Sequence, residues 1–482
     1  MTERQIDTLK DSPTRYNASP LPVRPYLFVV LECDRLTAGG ARYALTEVDE
    51  VVIGRGDERE VTRQQGGRGV RLKISVPGPS MSSTHARLAR TDAGWVLEDL
   101  RSTNGSYVND TRVTRAVVRD RDVIELGHTL FVLREAVPTP EGAAEHVDTL
   151  SRSVAPSGFI TLLPDEEPRL DALACIAKSS IPILLLGETG TGKEVIARSV
   201  HAHSGRHGPL VAINCGGLPA SLVESHLFGH VRGAFSGAVR DEIGAVRAAD
   251  GGTLLLDEIG DLPSAAQPAF LRFLQEREIS PVGSSQVYKV DVRVIAATHR
   301  PLGDVAAALP FRSDLLARLN GFTHVLKPLR ERREDLGLLI AAILTKNGTT
   351  VARGERHVAM SPSVGRQLLY QPWSSNIREL EQTLLRVLTL VRGPLIEPHH
   401  LLAGRVTDLA PATPLTPLRR LPPLSEEQSR LREELILHLQ RHRGSVTDVA
   451  RALGKARTQI HRWLKRFDVD PNSFRAADRR DV

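Results

Sequence analysis

The stretch Gly187-Glu188-Thr189-Gly190-Thr191-Gly192-Lys193-Glu194 follows the apolar run Ile181 to Leu186 and precedes Val195-Ile196-Ala197. Strand, glycine-rich turn and helix, in that order, build a phosphate-binding loop. The glycines let backbone N–H groups close around a polyphosphate, and the helix N-terminus adds partial positive charge. Every residue from Gly187 to Glu194 is therefore a candidate ATP contact, with Lys193 reaching the β- and γ-phosphates. The Ser or Thr expected after the lysine is replaced by Glu194, so Mg2+ must be held elsewhere. A second stretch, Gly252-Thr253-Leu254-Leu255-Leu256-Asp257-Glu258, reads as a buried strand ending in two acids. Asp257 is the candidate for holding Mg2+, through water. Glu258 is the candidate for polarising the attacking water, which is the division of labour phosphoryl transfer needs.

At 482 residues the chain has room for about three domains. With 41% hydrophobic and 25% charged residues it fits a soluble protein with several cores, and the aromatic share of 4% makes those cores aliphatic. No apolar run approaches the roughly 18 residues that span a bilayer. The polar, Pro-broken start, Met1 to Pro25, does not read as a secretory signal. Cys33, Cys175 and Cys215 have neither disulfide-framework nor metal spacing, which fits a reducing cytoplasm. The net charge of +6 permits a nucleic-acid partner without demanding one.

Residues 25–136 hold short apolar stretches divided by Gly and Asp turns, the pattern of an all-β sandwich. Gly54-Arg55, Ser82-Ser83-Thr84-His85 and Ser102-Thr103-Asn104-Gly105 fall at strand ends, on one rim. An arginine, hydroxyls and an amide together suit a dianionic phosphate. These residues resemble the forkhead-associated (FHA) domain, a phosphothreonine reader. The resemblance implies that Arg55 and Ser82 hold the phosphate, that Thr103 and Asn104 bind the peptide backbone and the phosphate edge, and that His85 pins the loop, with Ser83 a further candidate phosphothreonine contact. The span from Arg55 to Ser82 is long and carries a basic, Gly-rich insert, Arg63 to Arg68. Residues 137–158, broken by Pro138, Pro140, Gly142, Pro156 and Gly158, read as a flexible connector.

Residues 159–405 hold the phosphate loop together with Phe311-Arg312-Ser313 and Ala317-Arg318-Leu319, a helix whose arginines suit a subunit boundary. Arg378, on a later helix, is placed to contact nucleotide from a helical lid. The tip Gly233-Ala234-Phe235-Ser236-Gly237-Ala238 is small apart from one phenylalanine. A phenylalanine exposed on a mobile tip implies a partner. This segment is similar to the AAA+ module of the sigma-54-dependent transcription activators, the bacterial enhancer-binding proteins. The resemblance implies that the tip from Gly233 to Ala238 engages sigma-54, with Ser236 where the family has Thr. It implies that Asn214 holds the catalytic Glu258 until the tip engages, and that Thr298 with His299 forms the first sensor. Arg312 and Arg318 would be trans-acting arginine fingers, and Arg378 the second sensor. Ser374-Ser375 departs from the family's Pro-Gly, and Ile243 to Arg247 lacks its common Gly-Arg-Phe-Glu. The implied working form is a homo-oligomer, dimer to hexamer ring.

A Pro-rich connector, 406–424, leads to residues 425–482. There a helix to about His442 precedes Val446, Val449, Ala450 and Leu453 at helical spacing, a break at Gly454, and a second helix from Ala456 to Phe467. This is the helix-turn-helix pattern whose second helix enters the major groove. Arg457, Thr458, Gln459, His461, Arg462 and Lys465 are the candidate DNA contacts. The segment resembles the Fis-type domain of the same family.

The expected fold class is multidomain: an all-β FHA sandwich, an α/β AAA+ ATPase with a helical lid, and an all-α helix-turn-helix. The expected function is an ATP- and Mg2+-dependent activator that binds upstream enhancer DNA and remodels the sigma-54 RNA polymerase holoenzyme. Its expected control is a phosphothreonine-containing protein, a Ser/Thr kinase or its substrate, in the cytoplasm and away from membranes. Two other classes stay open at this point: a DNA-binding repressor that never contacts sigma-54, and a phosphoprotein-binding scaffold with an inactive ATPase.

Overall fold

The computed structural model describes residues 21–66, 69–150, 158–217, 219, 221–300, 311–347, 358–402, 426–442 and 445–467. The chain divides into two compact units, 1–405 and 406–482. The Pro-rich connector 406–424 lies outside the described residues.

The first unit opens with the sandwich. One sheet is built from β1 (Val23–Glu32), β2 (Ala41–Ala44), β8 (Ser106–Val108), β9 (Thr111–Val113), β11 (Val123–Leu126), β12 (Thr129–Pro138) and β13 (His146–Asp148), in the order β13-β2-β1-β12-β11-β8-β9. The other holds β3 (Glu50–Arg55), β4 (Glu60–Gly66), β5 (Gly69–Val76), β6 (Ala86–Thr91), β7 (Gly94–Asp99) and β10 (Arg115–Val118), in the order β10-β7-β6-β3-β5-β4. Residues 63–66 of the basic insert thus belong to β4, an edge strand that pairs with β5.

The expected flexible connector at 137–158 is corrected in its first half. β12 continues to Pro138, and β13 pairs with β2 as an edge strand. Thr149 then closes on Gly40: its hydroxyl takes the Gly40 amide at 2.9 Å and donates to the Gly40 carbonyl at 2.8 Å. Buried Arg59 crosses to Asp148 and to Glu32. Scattered Pro and Gly concealed this strand, because an edge strand tolerates both.

The second layer system is a parallel sheet of β14 (Ile183–Leu186), β15 (Leu210–Asn214), β16 (Thr253–Asp257), β17 (Arg293–Thr298) and β18 (Phe322–Val325), in the order β15-β16-β17-β14-β18. The central strands β14, β16 and β17 are near-continuous apolar runs because helices cover both faces. Among those helices are α1 (Glu167–Ala177), α2 (Lys193–His203), α3 (Val223–Phe228), α4 (Gln267–Glu276) and α5 (Ser313–Leu319). A helical lid follows, with α6 (Leu336–Lys346), α7 (Pro362–Tyr370), α8 (Asn376–Leu390) and α9 (Pro398–Leu402).

The sandwich and the lid share a core. Along β1, Leu27 and Val29 point into the sandwich, while Tyr26, Phe28 and Val30 join a second cluster with Leu336, Ile340 and Val364 of the lid. β12 divides the same way, Phe131 and Leu133 inward, Leu130 and Val132 toward the lid. α6 is apolar from Leu336 to Leu344 and buries most of that run, with Ala342 exposed and Leu339 partly buried. Its Gly337 is the point of closest approach. A Cβ there would stand 2.2 Å from the Val30 carbonyl oxygen and 2.9 Å from that of Gly39.

The second unit holds α10 (Glu426–Arg441), α11 (Val446–Ala452) and α12 (Arg457–Phe467) around Leu435, Leu439, Val446, Val449, Ile460 and Leu464. The turn passes through Gly454 at φ 61°. Among the described residues no helix is long and apolar enough to cross a membrane.

Gly337→Ala sets two effects against each other. Alanine gains up to about 1 kcal/mol of helix propensity, but backbone atoms that cannot yield impose an overpacking cost of about 1–3 kcal/mol. The expected result is a lower thermal midpoint for the full chain, measured by calorimetry.

Candidate functional site

The phosphate loop joins β14 to α2. Gly187, Gly190 and Gly192 all have positive φ, the last as the N-cap of α2. Gly190 has no alternative: a Cβ would sit 2.1 Å from the Ser375 carbonyl oxygen. Lys193 is buried, its Nζ donating to the carbonyls of Gly187 at 2.8 Å and Glu188 at 3.3 Å. Burial pulls its pKa down, and the carboxylates of Glu258 and Asp257 oppose that shift. Thr191 closes the loop by donating to the Glu188 carbonyl at 2.8 Å. Glu194 turns outward to Arg198, at 2.6 Å. Its carboxylate is thus committed on the helix surface, and its backbone is what it offers to the loop.

The strand ends bring the acids to the loop, as open α/β sheets place chemistry at their carboxyl edge. Glu258 Oε1 lies 4.0 Å from Lys193 Nζ. Glu258 adopts φ 52°, a left-handed conformation uncommon for a residue with a side chain. Its other oxygen meets His299 Nδ1 at 2.7 Å and the His299 amide at 3.3 Å. Burial, reinforced by Glu258, raises the pKa of Asp257. Asp257 Oδ1 accepts the Glu258 amide at 3.1 Å. Thr298 is fully buried, and its carbonyl accepts the Gly187 amide at 3.2 Å.

Among the described residues Asn214 makes no hydrogen bond to Glu258, contrary to the expectation. Its Oδ1 accepts the Gly216 amide at 3.0 Å, within its own tight turn, and His299 is the residue on the glutamate. Arg312 and Arg318 are exposed on the two ends of α5, anchored by buried Leu315 and Leu319. Arg312 is paired with Asp314 at 2.7 Å. Among the described residues neither arginine forms an ion pair with the phosphate loop of its own chain.

The lid closes on the loop through residues the motifs did not single out. Asn376, fully buried at φ 55°, accepts the Leu329 amide at 2.8 Å and donates to Glu188 Oε2 and the Thr189 carbonyl, both at 3.1 Å. Arg330 grips the Glu188 carboxylate with two bonds, at 2.6 and 2.8 Å, and with Asn376 pulls its pKa down to about 2. Arg332 donates to the Thr191 carbonyl at 2.8 Å. Arg378 is exposed, with its amide 3.3 Å from the Gly190 carbonyl. Beside the loop, a cavity of about 450 Å3 is lined by Ile160, Leu170, Ile196, Leu326, Leu339 and Ile377, among others. Its apolar walls next to a phosphate loop suit a nucleotide base.

The tip Gly233 to Ala238 stands on a short hairpin pairing Gly229–His230 with Glu242–Ile243. The expectation of an exposed Phe235 is corrected: its ring is half-buried against His230, with centroids 5.0 Å apart. The apolar groups left in solvent are Val239 and Ile243 on the returning arm. Ser236 is exposed.

On the sandwich rim, Arg55 and Ser83 are exposed, and Arg55 enters no salt bridge among the described residues. The Arg55 amide donates to the Ser82 carbonyl at 2.8 Å, and the Thr103 amide to Ser82 Oγ at 3.1 Å. Asn104 donates to the Ser80 carbonyl at 2.7 Å. His85 is buried between Ser82 and Gly105, bonding to both, and burial holds its pKa low; it ties the two loops together. In the second unit Arg457, Thr458 and Gln459 are exposed at the start of α12; the side chains of His461, Arg462 and Lys465 lie outside the described residues.

Residues 166–324 match the Sigma-54 interaction domain, 51–127 the FHA domain, and 330–411 the AAA+ ATPase lid domain. The chain is 42% identical over 313 residues to the transcriptional activator HyfR of Escherichia coli, covering 63% of this chain and 46% of that one. It is 39% identical over 324 residues to the transcriptional regulatory protein ZraR of Salmonella typhimurium, covering 66% and 70%. It thus spans about half the length of the first relative and about two thirds of the second. Among solved structures, NtrX from Brucella abortus in complex with ATP aligns at TM-score 0.46 and 28% identity, over 66% of this chain and 71% of that one.

Asn376→Ala leaves the buried Leu329 amide without its acceptor and removes the lid's bonds to Thr189 and to Glu188, which keeps Arg330. It is expected to weaken nucleotide binding by about 1–3 kcal/mol, read by titration of a fluorescent ADP analogue. Unchanged affinity in a folded variant would remove Asn376 from the site.

Proposed function

The chain belongs to the sigma-54-dependent transcriptional activators and carries their AAA+ ATPase; from that premise we propose that it remodels the closed promoter complex of the sigma-54 RNA polymerase holoenzyme, anchored at upstream enhancer DNA. The observation that carries this reading is the convergence of Lys193, Asp257 and Glu258 at one edge of the sheet, with the Gly233–Ala238 tip on a separate hairpin. Chemistry and partner contact then occupy different parts of one module.

Lys193 leaves its loop carbonyls for the β- and γ-phosphates. Asp257 is suited to Mg2+: it is an oxygen donor beside a second carboxylate, and burial with that neighbour makes its charge costly until a cation arrives. Among the described residues no cluster of three His, Cys, Asp or Glu could hold a metal. That agrees with Mg2+, which keeps waters and substrate phosphates as ligands rather than an all-protein cage. When bound, the ion neutralises charge on the phosphate oxygens. Glu258 orients the attacking water after parting from His299. Arg312 and Arg318, exposed on α5, reach the nucleotide of a neighbouring subunit in a homo-oligomeric ring.

Release of Phe235 from His230 arms the tip for sigma-54. The FHA rim takes a phosphothreonine peptide at Arg55, Ser82, Ser83, Thr103 and Asn104, supplied by a Ser/Thr kinase or its substrate. α12 enters the major groove with Arg457, Thr458, Gln459, His461, Arg462 and Lys465. A cytoplasmic setting follows from these partners.

Two measurements test this reading. With sigma-54 holoenzyme, this protein and ATP, permanganate footprinting should reveal promoter melting that Glu258→Gln and Ser236→Ala abolish. ATPase activity per subunit should rise with protein concentration as shared sites assemble, and Lys193→Ala should remove it. A flat, near-zero rate would instead favour an inactive scaffold.

A further inference from the structure

The rim assigned to phosphothreonine and the cavity assigned to nucleotide belong to one compact unit, residues 1–405. From the rim, Asn104 holds the Ser80 carbonyl at 2.7 Å. Ser80 Oγ donates to Asp34 Oδ2 at 3.1 Å and lies 3.0 Å from His128 Nδ1, which in turn lies 3.1 Å from Asp34 Oδ1. The backbone continues the path: the Cys33 amide donates to the His128 carbonyl at 2.9 Å. The Cys33 carbonyl accepts the amide of Met360, in the lid, at 2.8 Å. Each step is a direct hydrogen bond or a covalent neighbour, so no flexible segment intervenes.

From the cavity, α6 supplies the other end. Leu338, Leu339 and Ala342 line the nucleotide cavity, while Leu336, Ile340 and Leu344 pack into the core shared with β1. Ile343 belongs to both. At the first turn of α6, fully buried Asp335 accepts Thr161 Oγ1 at 2.8 Å and the Leu162 amide at 2.7 Å. Leu162 also takes a bond of 3.0 Å from Arg42 of β2. Ion pairs edge the contact. Arg366 of α7 meets Glu125 of β11 and, at 2.7 Å, Asp110; Arg134 of β12 meets Glu334. Tyr370 Oη donates to Asn109 at 3.2 Å.

We propose that phosphothreonine binding at the FHA rim and nucleotide binding under the lid are directly coupled through this shared body, the FHA domain acting as an outer half of the lid. The proposal rests on the phosphothreonine and ATP readings given above. Packed cores shift between discrete arrangements rather than deforming smoothly. A lid that moves with nucleotide therefore carries β1 and Cys33 with it and displaces Ser80 and Asn104. Coupling of this kind is reciprocal, and commonly spans about 5- to 150-fold in affinity. A phosphorylated partner thus sets nucleotide affinity without touching the ATP site.

The test uses the full chain. Amide hydrogen exchange across 78–85 and 102–105 is measured with and without saturating ADP and ATPγS. Protection there should change with nucleotide, and the change should vanish in Arg366→Glu. It should return in Arg366→Glu combined with Glu125→Arg, which separates lost coupling from lost folding. Exchange that ignores both nucleotides in the wild type overturns the proposal. In parallel, a degenerate phosphothreonine peptide pool is titrated with and without ATPγS, against its unphosphorylated counterpart. An affinity change of about 5-fold or more is expected. Binding that nucleotide leaves unchanged also overturns the proposal. If no peptide binds yet nucleotide still alters exchange at the rim, the coupling stands and the phosphothreonine reading falls.

Discussion

β1 is a strand with two cores. An antiparallel strand in a two-layer sandwich ordinarily buries one face and wets the other, which gives alternating apolar and polar residues. Tyr26-Leu27-Phe28-Val29-Val30-Leu31 does not alternate, and every one of these residues is almost wholly buried. Leu27 and Val29 hold the sandwich together; Tyr26, Phe28 and Val30 hold it to the lid. Side chains that fully bury contribute on the order of 1.5–3 kcal/mol each relative to exposure. Separating the two bodies would expose the whole outer row at once, along with its partners on α6 and α7. The FHA sandwich is therefore built into the ATPase module rather than tethered to it.

The same economy of contact governs the phosphate loop. Its cradle is completed by the lid, through Asn376, Arg330 and Arg332, rather than by residues of the loop alone. Asn376 supplies three directed bonds from one buried side chain, and takes the left-handed conformation that asparagine tolerates better than most residues. Arg330 binds Glu188 in the bidentate geometry that a lysine could not reproduce. Loop and lid are thus posed together by charge and hydrogen bonding, while the shared core behind α6 sets where the lid can stand.

Much of this was legible in the sequence, and the failures have physical causes. The loop, the acidic strand end, the FHA sandwich and the helical pair near the C-terminus each rest on short-range spacing, which sequence displays directly. What spacing does not display is which neighbour covers a face. Asn214 and His299 were both visible, but only the packed strand ends decide that His299 takes the Glu258 carboxylate. Sequence alone leaves Phe235 exposed because nothing adjacent shields it; His230, five residues earlier and folded back across the hairpin, does so. β13 was hidden among prolines and glycines, since an edge strand needs only one set of ladder bonds. The missed signal of greatest value was the unbroken apolar run in β1, together with α6, apolar on all sides. Each states that two surfaces must be covered, and each is the other's cover.

That mutual cover bears on how regulation can work in such a chain. A sensor on a flexible tether acts through local concentration, and its effect depends on tether length. A sensor fused through a common core acts through the relative energies of a few packed arrangements, and its effect depends on which residues face which. Here Gly337 lets the backbone of α6 approach that of β1, and the Arg366 and Arg134 ion pairs fix the register of sandwich on lid. Buried or half-buried ion pairs contribute little net stability against apolar replacements, and their better-attested role is to specify one arrangement over its neighbours. Polar groups placed around an apolar interface that already holds are best explained as setting that register.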